Sequence, residues 1–182
     1  MARCIAAVAA ALTFCLVSAA SAEVQAVVDL KRLCMDTQGD PVAAFAAADA
    51  AGWGPARPED ATNLAGLSGS PDGRMIQPLS PDYRVLTASI APTGLATQRK
   101  CVIISKASFE DVTAAIKTLL STAAEKKEDK MWTWSMMEVN GVTRAARSFS
   151  PDAFIKARHR RLFQVYVMRL DGGSIIQFNE LK

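Results

Sequence analysis

Arg99-Lys100-Cys101-Val102-Ile103-Ile104-Ser105 decides the fold, because a β-branched apolar run here carries one of two cysteines that remain once the N-terminal segment is set aside. The run reads as a central strand. Its covalent partner is expected to be Cys34, so a Cys34–Cys101 bridge would tie the first predicted helix to that strand and close a loop over much of the N-terminal half. The alternative for the pair is two free thiols or an intermolecular link.

The reason for setting the first residues aside is their pattern. Arg3 is followed by an apolar run from Cys4 to Val17, and small residues then end in Ala20-Ser21-Ala22 before Glu23. This is the form of a cleavable secretory signal over residues 1–22. The run is shorter than the roughly 20 residues that a spanning helix needs, and no stop-transfer pattern follows. Phe14 stands before Cys15, where lipid attachment needs a small residue. An exported chain, periplasmic or secreted, is therefore expected, with residues 23–182 folding as a single α+β domain. Cys4 and Cys15 leave with the signal, and an oxidising compartment favours the bridge between the other two.

Composition narrows the classes further. Half the residues are hydrophobic and the formal net charge is only +3, which suits a globular core and argues against a nucleic acid partner.

Working outward from the anchor, Val24, Val27, Leu30 and Cys34 fall at helical spacing and predict a first helix from Val24 to Met35, with Lys31 and Arg32 outward. Asp40-Pro41 reads as an N-cap with proline in the first turn. The second helix should then run to Ala51 on a stripe of Val42, Phe45 and Ala46, stopped by Gly52 and locked by Trp53. Gly54 to Asp82 reads as an extended, irregular connection that hides at most a short strand at Arg74 to Gln77, and a connection this long is usually functional or disordered. Ser-Pro-Asp recurs at Ser70, Ser80 and Ser150 as turn chemistry.

Arg84 to Ile90 is a predicted strand that returns into Arg99–Ser105. Ser108 begins a capping-box-like start with Asp111, followed by a helical stripe of Phe109, Val112, Ile116, Leu119, Leu120 and Ala123. Glu125 to Lys130 reads as a solvated link. Met131 to Val139 alternates Trp132, Trp134 and Met136 against Thr133 and Ser135. Asn140-Gly141 is a hairpin turn leading to a weak or edge strand, Val142 to Phe149. Leu162–Leu170 and Ser174–Leu181 flank Asp171-Gly172-Gly173 as the clearest hairpin. This order lacks the alternation of a parallel sheet. It predicts an antiparallel sheet of about five strands, with one amphipathic helix packed on it and two N-terminal helices stapled alongside by the disulfide.

Chemistry is less legible. His159 is the lone histidine and lies among arginines, without the partners that a metal site or a nucleophilic triad needs. No phosphate-cradling glycine loop or hydrolase motif occurs. No cofactor and no metal is predicted. Met131, Met136 and Met137 beside the tryptophans could suit Cu(I), but strand alternation splits them between two faces and assigns them to packing. Carboxylate pairs could run glycan hydrolysis, yet spacing alone selects none of them. The remaining feature is a basic strip of Arg144, Arg147, Lys156, Arg158, His159, Arg160 and Arg161. The expected function is accordingly an exported, non-catalytic envelope or secreted binding protein whose partner is an anionic envelope component or an acidic protein surface. The alternatives are a small envelope-polymer hydrolase with paired carboxylates and an inhibitor of a secreted hydrolase.

Overall fold

The computed structural model describes residues 25–76, 83–93, 96–146 and 161–182. The predicted signal, Ser-Pro-Asp at Ser80 and Ser150, and most of the basic strip lie outside these residues. Helix α1 spans residues 25–35, and its second half, Leu30–Met35, widens to π-type bonding in which the Asp36 amide donates to the Lys31 carbonyl. The remaining helices are α2, Pro41–Ala50, α3, Ala61–Ser68, and α4, Phe109–Leu120.

The strands are β1 Gly54–Pro55, β2 Arg74–Ile76, β3 Arg84–Thr93, β4 Ala96–Ser105, β5 Lys126–Glu128, β6 Met131–Val139, β7 Val142–Ala145, β8 Arg161–Leu170 and β9 Gly173–Leu181. All nine join one antiparallel sheet in the order β1-β2-β3-β4-β9-β8-β6-β5, with β7 also on β6. The mixed α and β architecture matches expectation, but the sheet is larger than the expected five or so strands. The excess comes chiefly from short elements: β2 stands where a short strand at Arg74 to Gln77 was expected, while β1 and β5 have two or three residues, too few to show alternation. The Gly54–Asp82 connection is correspondingly not irregular in its described part. It holds β1, a 3₁₀ turn at Pro58–Asp60, α3 and β2. At Ser70 the turn chemistry is as expected, since its hydroxyl accepts from the Asp72 amide at 3.2 Å.

Helices α1, α2 and α4 cover one face of the sheet. Their buried Leu30, Leu33, Ala44, Ala48, Val112 and Ile116 share one core with Leu86, Ile103, Trp134, Phe163, Ile176 and Phe178. Helix α2 turns differently from its predicted stripe, because Ala44 and Ala48 face the core while Val42 is 80 % exposed. Small residues let this helix approach the sheet closely, a geometry that a hydrophobicity count does not favour. Trp53 is buried behind Gly52, as expected of a lock. The Cys34–Cys101 disulfide is formed, with Cα atoms 5.6 Å apart and both residues fully buried. It joins α1 to β4 in the middle of this layer. Gly39 (φ +64°) turns the chain out of α1, and a Cβ there would press on Arg99 Cβ at 3.2 Å.

Helix α3 lies on the opposite face, where Leu64 packs with Met75 and Val85 in a smaller core. Strand β6 is flanked on its outer side by β5 near its start and by β7 near its end. Two short strands thus share one edge, and the three charged residues of β5 are a device that blunts unwanted pairing there. No helix among the described residues is long and apolar enough to cross a membrane.

Candidate functional site

The predicted strip is only partly visible. Arg147, Lys156, Arg158, His159 and Arg160 lie outside the described residues. Arg144 is exposed on β7. Arg161 is turned inward. Its Nε donates to Glu180 Oε2 at 3.0 Å, Nη1 to Glu138 Oε2 at 3.4 Å and Nη2 to the Met35 carbonyl at 2.6 Å, while the Phe163 and Phe178 rings lie beside the guanidinium. It ties β6, β8 and β9 to the end of α1. Glu180 is 1 % exposed, and burial pushes its carboxyl above the usual range against the opposing pull of Arg161.

Asp29, the other buried acid among the described residues, is likewise neutralised. Arg84 Nε stands 2.8 Å from Oδ2, and Arg32 Nη2 donates to Oδ1 at 3.1 Å. The Arg84 contact is a charge pairing without hydrogen-bond alignment. Both acids therefore serve as buried counter-charges, which is costly unless paired in this way.

An open groove of about 490 Å3 lies instead between α4 and the β5–β6 hairpin. Sites for small molecules occupy roughly 300–1,000 Å3. Ser108 places the groove's helical wall, because its hydroxyl accepts from the Asp111 amide at 3.2 Å and so starts α4 with Phe109 facing inward. The hairpin register sets Lys127 opposite Trp132, so both side chains reach the same face. Phe109 and Trp132 meet edge to face, centroids 5.8 Å apart, and form the apolar floor.

Cations sit over both rings, Arg169 at 4.4 Å from the Phe109 centroid and Lys127 at 4.6 Å from that of Trp132. Arg169 Nη2 also donates to Glu110 Oε1 at 2.6 Å, and this hydrogen bond holds the Glu110 carboxyl below its usual range. Glu128 is paired with Lys126. Lys117, Lys127 and Asp129, which also line the groove, have no ion pair among the described residues. Such a site can hold a ligand that combines an apolar body with negative charge, through cation–anion contacts over an aromatic floor.

Sequence reasoning missed this groove. The signal lies in Glu125 to Lys130, where the Asp129-Lys130 turn brings Trp132 back opposite Lys127. No family model matches the chain, and no curated protein or solved structure matches it.

Proposed function

We propose that this chain is an exported, non-catalytic binding protein of the envelope or the secreted fraction that holds an anionic partner in the α4–β6 groove. The observation that carries the reading is that Lys117 and Lys127, two cations without an ion pair among the described residues, line the groove against the single unpaired acid Asp129, beside an aromatic floor in which Trp132 is partly exposed. The disulfide suits the oxidising compartment to which the N-terminal pattern would send the chain. Against the rival hydrolase stands the use of Asp29 and Glu180, since an acid held against arginine is poorly placed to exchange a proton with a substrate.

Binding of polyglutamate and of phosphatidylglycerol vesicles should be measured for the native chain and for Lys117→Ser/Lys127→Ser, at low and at physiological salt, where the Debye length is about 8 Å. The reading expects binding that persists at physiological salt and falls at least about tenfold in the double variant, the scale of one lost charge-assisted contact. Arg158→Ser/Arg160→Ser tests the strip in the same assay. Release of fragments from cell-wall material that Asp129→Asn abolishes with folding intact would replace binding by hydrolysis.

A further inference from the structure

Strand β6 turns into β7 through Asn140-Gly141, a two-residue loop that sets Val139 opposite Val142. Both loop residues have positive φ, +52° at Asn140 and +76° at Gly141, as a type I′ turn requires. Both are exposed. No atom lies within 4 Å of the point where a Cβ on Gly141 would stand, and the Gly141 amide makes no hydrogen bond among the described residues. The main-chain nitrogen that follows Asn140 is therefore neither screened nor engaged. The chain's other two asparagines are placed differently. Asn63 is held in α3 before Leu64, which is 1 % exposed, and Asn179 is buried in β9 before the buried Glu180. In both, a regular backbone and a buried following side chain hinder the next main-chain nitrogen from closing on the side-chain amide.

We propose that Asn140 is a site of spontaneous modification, converted through a succinimide to isoaspartate, and that the conversion releases β7 from the edge of the sheet. The Gly141 amide, on losing its proton to hydroxide, attacks Asn140 Cγ. The new N–Cγ bond forms, the Cγ–Nδ2 bond breaks, and the side-chain nitrogen leaves as ammonia. Water then opens the five-membered ring. Cleavage at the main-chain carbonyl gives isoaspartate and cleavage at Cγ gives aspartate, so the whole sequence consumes one water, releases one ammonia and involves no oxidation. Attack within one residue pair gains from proximity once the reacting atoms can align, and the open loop lets them do so.

Isoaspartate routes the main chain through Cβ and so adds one carbon to a loop of two residues. Register in a hairpin follows turn type and loop length, so the Val139–Val142 pairing loses its support. Strand β7 has little to restore it. Its four residues, Val142–Ala145, are all exposed, so no buried side chain pins the strand before Ala146, whose amide donates to the Ser135 carbonyl at 2.8 Å. The release should therefore stop at Ala146 and leave the pairing of β6 with β8 intact. The new carboxylate also lowers the net charge by one.

The test incubates the folded full chain at neutral and at mildly alkaline pH and maps its asparagines by mass spectrometry, with fragmentation that tells isoaspartate from aspartate. Conversion at Asn140 is expected at least about tenfold ahead of Asn63 and Asn179, within the range by which misalignment slows an attack. It should run faster at the alkaline pH, because the amide must lose its proton. The converted chain, separated by its added negative charge, should lose the nuclear Overhauser contacts of Glu138 with Thr143 and keep those of Ser135 with Gln164. Asn140→Gly retains a loop that accepts positive φ at both positions and should hold the β6–β7 contacts through the same incubation. Asn140 left intact while a peptide spanning Met137 to Arg144 is converted, equal conversion at all three asparagines, or a converted chain with unchanged β6–β7 contacts would overturn the proposal. So would loss of those contacts in incubated Asn140→Gly, since modification would then not be their cause.

Discussion

Replacing Arg161 by Met should destabilise the fold in a way that depends on pH, and the size follows from the geometry. The side chain is 20 % exposed and neutralises Glu180, which is 1 % exposed. Without it Glu180 stays buried, either as an uncompensated anion or as the neutral acid. The charge penalty cannot exceed the cost of protonating that carboxyl, about 1.4 kcal/mol for each pH unit above its unfolded value near 4.3. The ceiling is therefore about 4 kcal/mol at pH 7.5 and about 1 kcal/mol at pH 5. Loss of the Met35 carbonyl contact adds roughly 1 kcal/mol at either pH.

The sign is set by burial. A carboxyl raised in the folded state contributes stability that is complete below its unfolded value and is lost as pH rises through the folded one. Arg161→Met should steepen that loss, and Glu180→Gln added to it should flatten the profile. Urea unfolding of the native chain and both variants at these two pH values measures this. A loss under about 1 kcal/mol at pH 7.5, or one equal at both pH values, would refute the role of Arg161 as the counter-charge of Glu180 and return it to the surface strip.

Other expectations concern the scaffold. Changing Cys34 and Cys101 together to Ser opens a loop with a separation of 67 residues and should cost about 4 kcal/mol in the chain-entropy model, read by denaturant unfolding beside non-reducing peptide mapping of the native chain. Gly173→Ala would press a Cβ onto the Ser105 carbonyl oxygen and stand 3.2 Å from Lys106 Cα, so about 1–3 kcal/mol should be lost, seen as a lower melting temperature. Ser108→Ala removes the acceptor for the Asp111 amide and should cost about 1 kcal/mol, with the helix signal otherwise retained.

Local patterns carried much of the fold. The β6 strand from Met131 to Val139, the Asn140-Gly141 turn and the β8–β9 hairpin stand where alternation and turn residues put them, because each is specified by neighbours in the chain. Helix α4 begins at the predicted cap and buries Phe109, Val112, Ile116 and Leu120. Helix α3 was not legible, since Ala61–Ser68 has few large apolar residues and docks through Leu64 and the hydroxyl of Ser68. Arg161 shows the limit most clearly. In sequence it is the last of a run of cations, and only the pairing of β8 with β6 and β9 brings Glu138 and Glu180 to it.

The disulfide pair, the main hairpins and the amphipathic helix were legible before any folding, because they depend on composition, spacing and turn geometry within short reach. Folding in three dimensions joined the nine described strands into one sheet and put α3 opposite the other helices. It also made Arg161 the counter-charge of the buried Glu180 and brought Lys117 and Lys127 to the lining of one groove, Lys127 over the Trp132 ring. Those outcomes depend on strand register and on which face each side chain reaches, and both are set only when segments distant in the chain pair.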